Sequence, residues 1–235
     1  MSSRSAIAVA MSAYVIAGIG AALFMAFVHA MGLGIFRKQA PDDVLVSWIV
    51  NLGLLLAFAL QHSGMARRAF KDWLARWIAP SLERSTYVVA SGIVTGAIPL
   101  GWQALPGEPI WRGPIWIIAI SVLAACFTGY CCLGYDSATF LGWTQATTGV
   151  SEARGPLRID GAYRYVRHPL MLGFLGTIWA MPVMPPELLM LNVGLTAYIL
   201  IAIRWEEREL VRDFGAAYEE YRRRVPALIP WRVFV

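Results

Sequence analysis

Residues 44–62 read VLVSWIVNLGLLLAFALQH, and no side chain able to carry a charge occurs in this run before His62. A helix of this length is long enough to cross the hydrocarbon core of a bilayer, which is about 30 Å thick. Similar apolar runs of about 20 residues recur along the chain. The stretch therefore predicts a membrane-spanning helix, and its recurrence predicts a polytopic helical fold.

The composition supports this interpretation. Of the 235 residues, 58% are hydrophobic and only 15% are charged, which is too apolar for an ordinary soluble domain. We predict an all-α membrane bundle of five to six spans that forms a single domain over residues 1–235. The last two spans are separated only by three prolines and should form a tight hairpin. The expected spans run approximately over residues 6–31, 44–62, 86–104, 114–134, 169–185 and 187–204.

The basic residues predict the orientation of the bundle. Of the 20 Lys and Arg residues, only Arg37, Lys38 and Arg112 fall on one side of the predicted membrane. Lys and Arg in short loops stay in the cytoplasm, so both termini are expected there. The net charge of +5 is then a consequence of membrane insertion, and no nucleic-acid partner is expected. The first apolar stretch is too long for a signal peptide that is removed.

The three cysteines give no sign of a metal site. Cys126, Cys131 and Cys132 all fall in the fourth predicted span and lack CxxC spacing. Buried cysteine usually behaves as a small hydrophobic residue. A disulfide framework or a zinc site is therefore not expected.

A basic and aromatic segment opens the fifth span. Residues 163–169 read YRYVRHP and lead directly into an apolar run. Proline is favoured in the first turn of a helix, so a helix is predicted to begin at Pro169. The free amides of a helix start attract anions, and Arg167 and His168 stand beside them. We predict a carboxylate or phosphate pocket here, and Gly173 would allow close approach of a ligand or another backbone.

Acidic and imidazole side chains at predicted span ends are the next candidates. Glu206 and Glu207 follow the last span, where a carboxylate is costly unless it is paired or faces water. Because adjacent helical residues point about 100° apart, one is expected to face a ligand and the other an arginine. His62 ends the second span near the cytoplasmic face and is either a structural group or a proton acceptor. A final helix over 205–224, interrupted at Gly215, is expected to complete the site in the cytoplasm.

The C-terminal half resembles the membrane methyltransferases typified by isoprenylcysteine carboxyl methyltransferase. The resemblance rests on an ordered set of motifs: Gly161-x-Tyr163-x-x-x-Arg167-His168-Pro169-x-x-x-Gly173, Glu206-Glu207, Phe214-Gly215-x-x-Tyr218-x-x-Tyr221 and Val225-Pro226. Over most of the chain, the sequence is more similar to the methanethiol S-methyltransferases and their NnrU-like relatives. That similarity rests on Gln61-His62-Ser63-x-Met65-Ala66-Arg67, Glu83-Arg84-Ser85-Thr86-Tyr87-Val88 and residues 166–174.

The resemblance implies S-adenosyl-L-methionine as the methyl donor, S-adenosyl-L-homocysteine as its product, and methanethiol as the acceptor, which becomes dimethyl sulfide. It also implies a protein of the bacterial inner membrane, with the donor bound on the cytoplasmic side by the part of the chain over 135–235. Aromatic faces would attract the sulfonium, and Leu172 would help to form an apolar slot for the adenine. The donor-binding residues expected on this basis are Tyr163, Val166, Arg167, His168, Pro169, Leu172, Gly173, Glu206, Glu207, Tyr218 and Tyr221.

The catalytic roles leave alternatives open. A thiol is a poor nucleophile until it loses its proton, so the reaction needs a base. His168, His62 or a nearby tyrosine such as Tyr163 could accept that proton, and of the two histidines His168 is preferred to His62. Arg167 or Arg164 would hold the negative charge of the thiolate. The alternative functions are methylation of an isoprenylcysteine carboxylate or a lipid amine, and a non-catalytic NnrU-like membrane module. Gly18 and Gly20 would permit close helix contacts, but the sequence does not determine the oligomeric state.

Overall fold

The computed structural model of the chain describes residues 3–39, 41–133, 137–149 and 156–230. Two short strands, β1 (Trp111–Arg112) and β2 (Val183–Met184), pair antiparallel, and the remaining regular structure of these residues is helical. This confirms the all-α prediction. In chain order, the helices are α1 (Ser3–Gly32), α2 (Val44–Met65), α3 (Arg68–Leu74), α4 (Glu83–Gly101), α5 (Ile117–Leu133), α6 (Ser137–Phe140), α7 (Trp143–Thr148), α8 (Pro169–Trp179), α9 (Pro186–Phe214) and α10 (Ala216–Arg224).

The long apolar helices make this an integral membrane protein. Three segments are long and apolar enough to cross a bilayer, namely Ile7–Gly32, Val44–Met65 and Pro186–Phe214. The 19 residues of α4 and the 17 residues of α5 come close to the thickness of the hydrocarbon core.

The fifth predicted span, over 169–185, is wrong in its extent. Its helix α8 has only 11 residues and ends at Trp179, which gives it a length of about 16 Å. The prolines that follow prevent helical hydrogen bonding, and the chain becomes extended and pairs as β2. The predicted proline-containing turn between the last two apolar helices is nevertheless present.

The chain divides into two compact units. The first contains residues 1–113, 135–153 and 182–191, and the second contains residues 114–134, 154–181 and 192–235. Each unit is built from segments that are distant in sequence. The expectation of a single domain over 1–235 stays a prediction.

In the first unit, α1 and α4 approach each other closely through glycines. A Cβ atom on Gly20 would lie 2.1 Å from the carbonyl oxygen of Gly92, and a Cβ on Gly92 would lie 2.7 Å from the Cα of Ala17. Neither contact leaves room for any side chain. A Cβ atom added to Gly18, two residues from Gly20, would have no atom within 4 Å. The close helix contact permitted by the sequence therefore involves Gly20 and not Gly18.

Polar side chains complete the end of α4. Nζ of Lys38 donates to the carbonyl oxygens of Leu100 at 3.1 Å and Trp102 at 2.9 Å. Asn51 of α2 is buried and exchanges two hydrogen bonds with the backbone of Gln103, at 2.9 and 2.8 Å. The last carbonyls of a helix lack intrahelical donors, and a lysine there also complements the helix dipole. Lys38 and Asn51 are therefore structural in this unit.

In the second unit, α5, α8 and α9 pack together through small residues and buried hydrogen bonds. Gly173 of α8 lies against α5, where an added Cβ would be 2.4 Å from Oγ1 of Thr128. Nδ2 of Asn192 in α9 donates to the carbonyl oxygen of Ile178 at 2.7 Å, and Nε1 of Trp179 donates to Oγ1 of Thr196 at 2.9 Å. The two hydrogen bonds join the C-terminal end of α8 to the long helix α9.

The long helix α9 ends where the sequence predicts an interruption. Gly215 adopts φ +54° and ψ −131°, a conformation that is essentially restricted to glycine. The chain therefore turns sharply after Phe214 and starts α10. Glu206 and Glu207 lie within the continuous helix α9 and not in a separate helix that follows the span.

Candidate functional site

Arg167 and Glu207 form the central ion pair of the second unit. Nε and Nη2 of Arg167 lie 2.7 and 2.6 Å from Oε1 of Glu207. Nη1 of the same arginine donates to the carbonyl oxygens of Arg222, at 3.1 Å, and of Val225. One guanidinium thus joins the loop before α8, the helix α9 and the end of α10. The sequence predicts that an arginine faces one of the two glutamates. In the structure this arginine is Arg167, which lies 40 residues from Glu207 in sequence.

His168 belongs to the same cluster. Its side chain is buried, with Nε2 3.1 Å from Oε1 of Glu207 and Nδ1 3.7 Å from Oε2 of Glu206. Because the Glu207 carboxylate only accepts, Nε2–H of His168 is the donor of this hydrogen bond. Glu206 is half exposed, so the two adjacent glutamates differ in environment as the helical geometry predicts.

The C-terminal segment closes around the backbone of this loop. The amides of Arg167 and His168 donate to the carbonyl oxygens of Pro226 at 2.8 Å and Ala227 at 3.0 Å. The hydroxyl of Tyr221 donates to the carbonyl oxygen of Tyr163 at 2.7 Å. Val225-Pro226 therefore holds the loop in place, a role that the sequence motif alone does not reveal. In the first turn of α8, Pro169 has no N–H and the amide of Leu172 donates to the carbonyl oxygen of His168 at 3.0 Å, so the amides of Leu170 and Met171 are those left for an anion.

Two polar atoms in the cluster keep unused hydrogen-bonding capacity. The hydrogen bonds and ion pairs that the Glu207 side chain makes with other described residues all involve Oε1. Its second oxygen, Oε2, can therefore accept a further hydrogen bond. The hydroxyl of Tyr218 is buried and has no hydrogen-bond partner among the described residues. Burial, reinforced by the Glu207 carboxylate, raises the pKa of Tyr218, so its phenol stays protonated at physiological pH. Buried polar groups are nearly always paired, so the Tyr218 hydroxyl fits a polar group of a ligand. Oε2 of Glu207 could accept a hydrogen bond from the same ligand.

The other predicted donor-site residues differ in their surroundings. The ring of Tyr163 already carries the Arg158 guanidinium, 5.4 Å from its centroid, while Arg164 is exposed. Val166 and Pro169 are buried, and Leu172 is partly buried. Gly173 contacts α5, so its small size serves helix packing. Among the described residues, no group of three His, Cys, Asp or Glu is arranged to hold a metal ion.

His62 lies in the first unit, within a separate cluster of polar side chains. The hydroxyl of Tyr87 is 2.9 Å from Nε2 of His62 and 3.1 Å from Nδ1, and Oγ of Ser91 is 3.3 Å from Nδ1. Nε2 of Gln61 donates to Oγ of Ser91 at 3.2 Å. The sequence analysis singled out His62 and overlooked this network. The four-residue spacing of Tyr87 and Ser91, which puts both on one face of α4, is the signal that could have found it.

Comparison with known proteins identifies the family to which the chain belongs. The sequence pattern of the NnrU protein family matches residues 50–229. The chain is 35% identical to methanethiol S-methyltransferase 2 of Bradyrhizobium diazoefficiens over 230 residues, which cover 89% of this chain and 86% of that protein. It is 34% identical to the methanethiol S-methyltransferase of Mycobacterium tuberculosis over 233 residues, which cover 90% of this chain and 94% of that protein.

A more distant relative comes from a mammal. The chain is 26% identical over 184 residues to nurim of Bos taurus, covering 72% of this chain and 70% of that protein. No solved structure matches the chain.

Proposed function

The chain belongs to the NnrU protein family, and we propose that it is a membrane methyltransferase that converts methanethiol to dimethyl sulfide. The proposed methyl donor is S-adenosyl-L-methionine, and the product formed from it is S-adenosyl-L-homocysteine. The observation that carries the proposal is the charged cluster of the second unit, where the Tyr218 hydroxyl and Oε2 of Glu207 lack partners among the described residues.

The residues of this cluster match the charged groups of the donor. Oε2 of Glu207, or the half-exposed Glu206, would accept hydrogen bonds from the donor's ammonium group or ribose hydroxyls. The guanidinium of Arg167 and the first-turn amides of α8 would attract its carboxylate. The phenol of Tyr218 would donate a hydrogen bond and offer an aromatic face to positive charge. Once bound, S-adenosyl-L-methionine supplies an electrophilic methyl group.

The proton acceptor is better sought at His62 than at His168. A general base needs a ring nitrogen with an available lone pair. His168 donates from Nε2 to Glu207, and its Nδ1 is near Glu206. His62 instead has hydroxyl neighbours. We therefore assign His168 to orienting Glu207 and assign proton acceptance to His62, which reverses the order expected from the sequence.

The proposed location is the bacterial inner membrane, with both termini and the donor site in the cytoplasm. The support is the distribution of basic residues, of which only Arg37, Lys38 and Arg112 fall on the opposite side. A small apolar thiol could reach the enzyme from the lipid phase, whereas the charged donor would come from the aqueous phase.

Measurement of dimethyl sulfide in the headspace over membranes that contain the protein tests the activity. Membranes given methanethiol and S-adenosyl-L-methionine are expected to release dimethyl sulfide, while membranes with the Glu207→Gln variant release almost none. Glu219 is an exposed residue of α10, so the variant Glu219→Gln should behave like the wild type. Methylation of an isoprenylcysteine analogue with no dimethyl sulfide would favour the alternative substrate, and no methylation of either compound would contradict the enzymatic proposal.

Replacing Tyr218 by phenylalanine is expected to weaken donor binding without unfolding the protein. Removal of a buried, unpaired hydroxyl should leave the melting temperature unchanged or raise it, because such a group costs stability. The same hydroxyl should bind the donor, so the dissociation constant of S-adenosyl-L-homocysteine should rise about tenfold, or ~1.4 kcal/mol. Isothermal titration and a melting curve measure the two effects. The variant Tyr221→Phe, which loses the bond to Tyr163, should instead lower the melting temperature.

A further inference from the structure

The segment over residues 66–84, which connects α2 to α4, lies at one end of this pair of helices. Asn51 of α2 bonds to the backbone of Gln103, which follows the end of α4. Gln61, later in α2, donates to Ser91, which lies earlier in α4. The two helices are therefore antiparallel. Because α2 is long and apolar enough to cross a bilayer, the connection between the helices emerges at the membrane surface.

The inner face of this segment is held against the first unit. Phe70, Leu74 and Ile78 follow one another at four-residue spacing and are partly buried, and Ile78 packs against a buried apolar cluster of the unit. The amide of Ile78 donates to the carbonyl oxygen of Leu74 at 3.1 Å, so the helical course of α3 continues to this residue. Nζ of Lys71 pairs with Glu83 at 2.8 Å. These contacts fix which side of the segment faces outwards.

The outer face carries tryptophans and arginines. Trp73 and Trp77 are four residues apart, so they lie on the same side, and they are 48% and 74% exposed. Arg68 and Arg76 are also exposed, and the 100° step of a helix places Arg76 between Arg68 and the two tryptophans. An exposed apolar patch bordered by polar residues marks a site of contact with a protein or a membrane.

The charge of the segment favours a membrane over a second copy of the chain. Residues 66–84 contain five Lys and Arg residues and two acidic residues, which gives a net charge of +3. Because Lys71 is paired with Glu83, the charge on the outer face comes mainly from arginines, with Asp72 beside them. A second copy docked on this face would bring the same positive charge against it. An anionic surface is complementary to it.

We propose that the outer face of residues 68–77 docks on anionic phospholipid headgroups of the bilayer that α2 crosses. The indole rings of Trp73 and Trp77 lie at the level of the headgroups, with their apolar part towards the acyl chains. The guanidinium groups of Arg68 and Arg76 bind phosphate groups, while their aliphatic stems stay beside the apolar region. This lipid contact is independent of the proposed methyl transfer.

Quenching by brominated lipids tests where the two tryptophans lie. The full-length protein is placed in phosphatidylcholine nanodiscs, and the fluorescence of the double variant Trp73→Phe/Trp77→Phe is subtracted from that of the wild type. The difference signal should be quenched by bromine attached near the headgroup end of the acyl chains and only weakly by iodide in the water. Because both tryptophans are exposed, the double variant should keep the wild-type melting temperature.

The choice of lipid tests the role of the arginines. Brominated phosphatidylglycerol should quench the difference signal more strongly than brominated phosphatidylcholine at the same low mole fraction, because the anionic lipid collects at this face. In the double variant Arg68→Gln/Arg76→Gln, the relative affinity for phosphatidylglycerol should fall about fivefold for each arginine removed. At about 1 M salt, where the screening length falls to about 3 Å, the preference should disappear.

Arg112→Gln is the matched control, since it removes the same charge from an exposed arginine of the first unit that lies outside this face. It should keep the wild-type preference for phosphatidylglycerol. Loss of that preference in the double arginine variant alone, at an unchanged melting temperature, would support the proposal.

Three results would overturn the proposal. The first is equal quenching of the wild type by the two lipids, or a preference that the double arginine variant retains. The second is quenching by iodide without quenching by lipid, which would place the outer face in water. The third is protection of Trp73 and Trp77 from both quenchers, which would show that protein covers the face. None of these results would affect the methyltransferase assignment.

Discussion

Replacement of Glu207 by glutamine should reduce methyl transfer by about two orders of magnitude. The change keeps the size of the side chain but leaves Arg167 and His168 without the carboxylate that both contact. Loss of one partner of a buried charge pair costs about 3 kcal/mol, roughly a hundredfold in binding. Such losses span about 2–5 kcal/mol, and a value in the lower part of this range is expected because both side chains keep slight exposure, 11% for Arg167 and 13% for Glu207. Transfer of a radiolabelled methyl group measures the loss.

Glu219→Gln is the matched control for this charge removal. Glu219 lies on α10 and is exposed, so its change alters the net charge equally without affecting the cluster. Its activity should equal that of the wild type. Activity of Glu207→Gln within a factor of two of the wild type would mean that the Arg167–Glu207 pair serves only the fold.

Replacement of Gly20 by alanine should prevent accumulation of the folded protein. The new methyl group would meet the backbone oxygen of Gly92 at 2.1 Å, and no rotamer change can relieve a clash with backbone. Overpacking with a movable neighbour costs about 1–3 kcal/mol, so a fixed neighbour should cost at least the upper value. The melting temperature and the yield of protein that elutes as a single species from size exclusion measure the effect.

Gly18→Ala is the control in the same helix. No atom lies within 4 Å of its Cβ position, so this variant should be as stable as the wild type or more stable. Equal stability of the two alanine variants would show that α1 and α4 do not pack through Gly20 and Gly92.

The helical class was predictable because long apolar runs and proline positions depend on local physics. Residues 44–62 and 187–204 lie within α2 and α9, and Gly215 ends α9 as its position predicts. The length of α8 was not predictable from hydropathy alone. Residues 180–185 are as apolar as a span, yet the prolines and the pairing with β1 stop the helix.

The candidate site was predictable as a set of residues but not as a set of contacts. Arg167, His168, Glu206 and Glu207 stood out individually because charge at a span end is costly. That Arg167 and Glu207 pair with each other depends on the packing of α8 against α9, which no local pattern encodes. The same reasoning applies to Pro226 and Ala227, whose carbonyl oxygens accept the amides of the loop. Because these hydrogen bonds join backbone atoms, the identities of the residues do not reveal them.

Photo-cross-linking of radiolabelled S-adenosyl-L-methionine to the full-length protein tests the central claim most directly. The label should be found in peptides that contain residues 163–173 or 206–221, and an excess of S-adenosyl-L-homocysteine should abolish it. Labelling confined to the first unit, for instance to the 430 Å³ cavity lined by Arg37, Lys38 and Glu108, would contradict the account. Labelling that excess S-adenosyl-L-homocysteine does not suppress would contradict it equally.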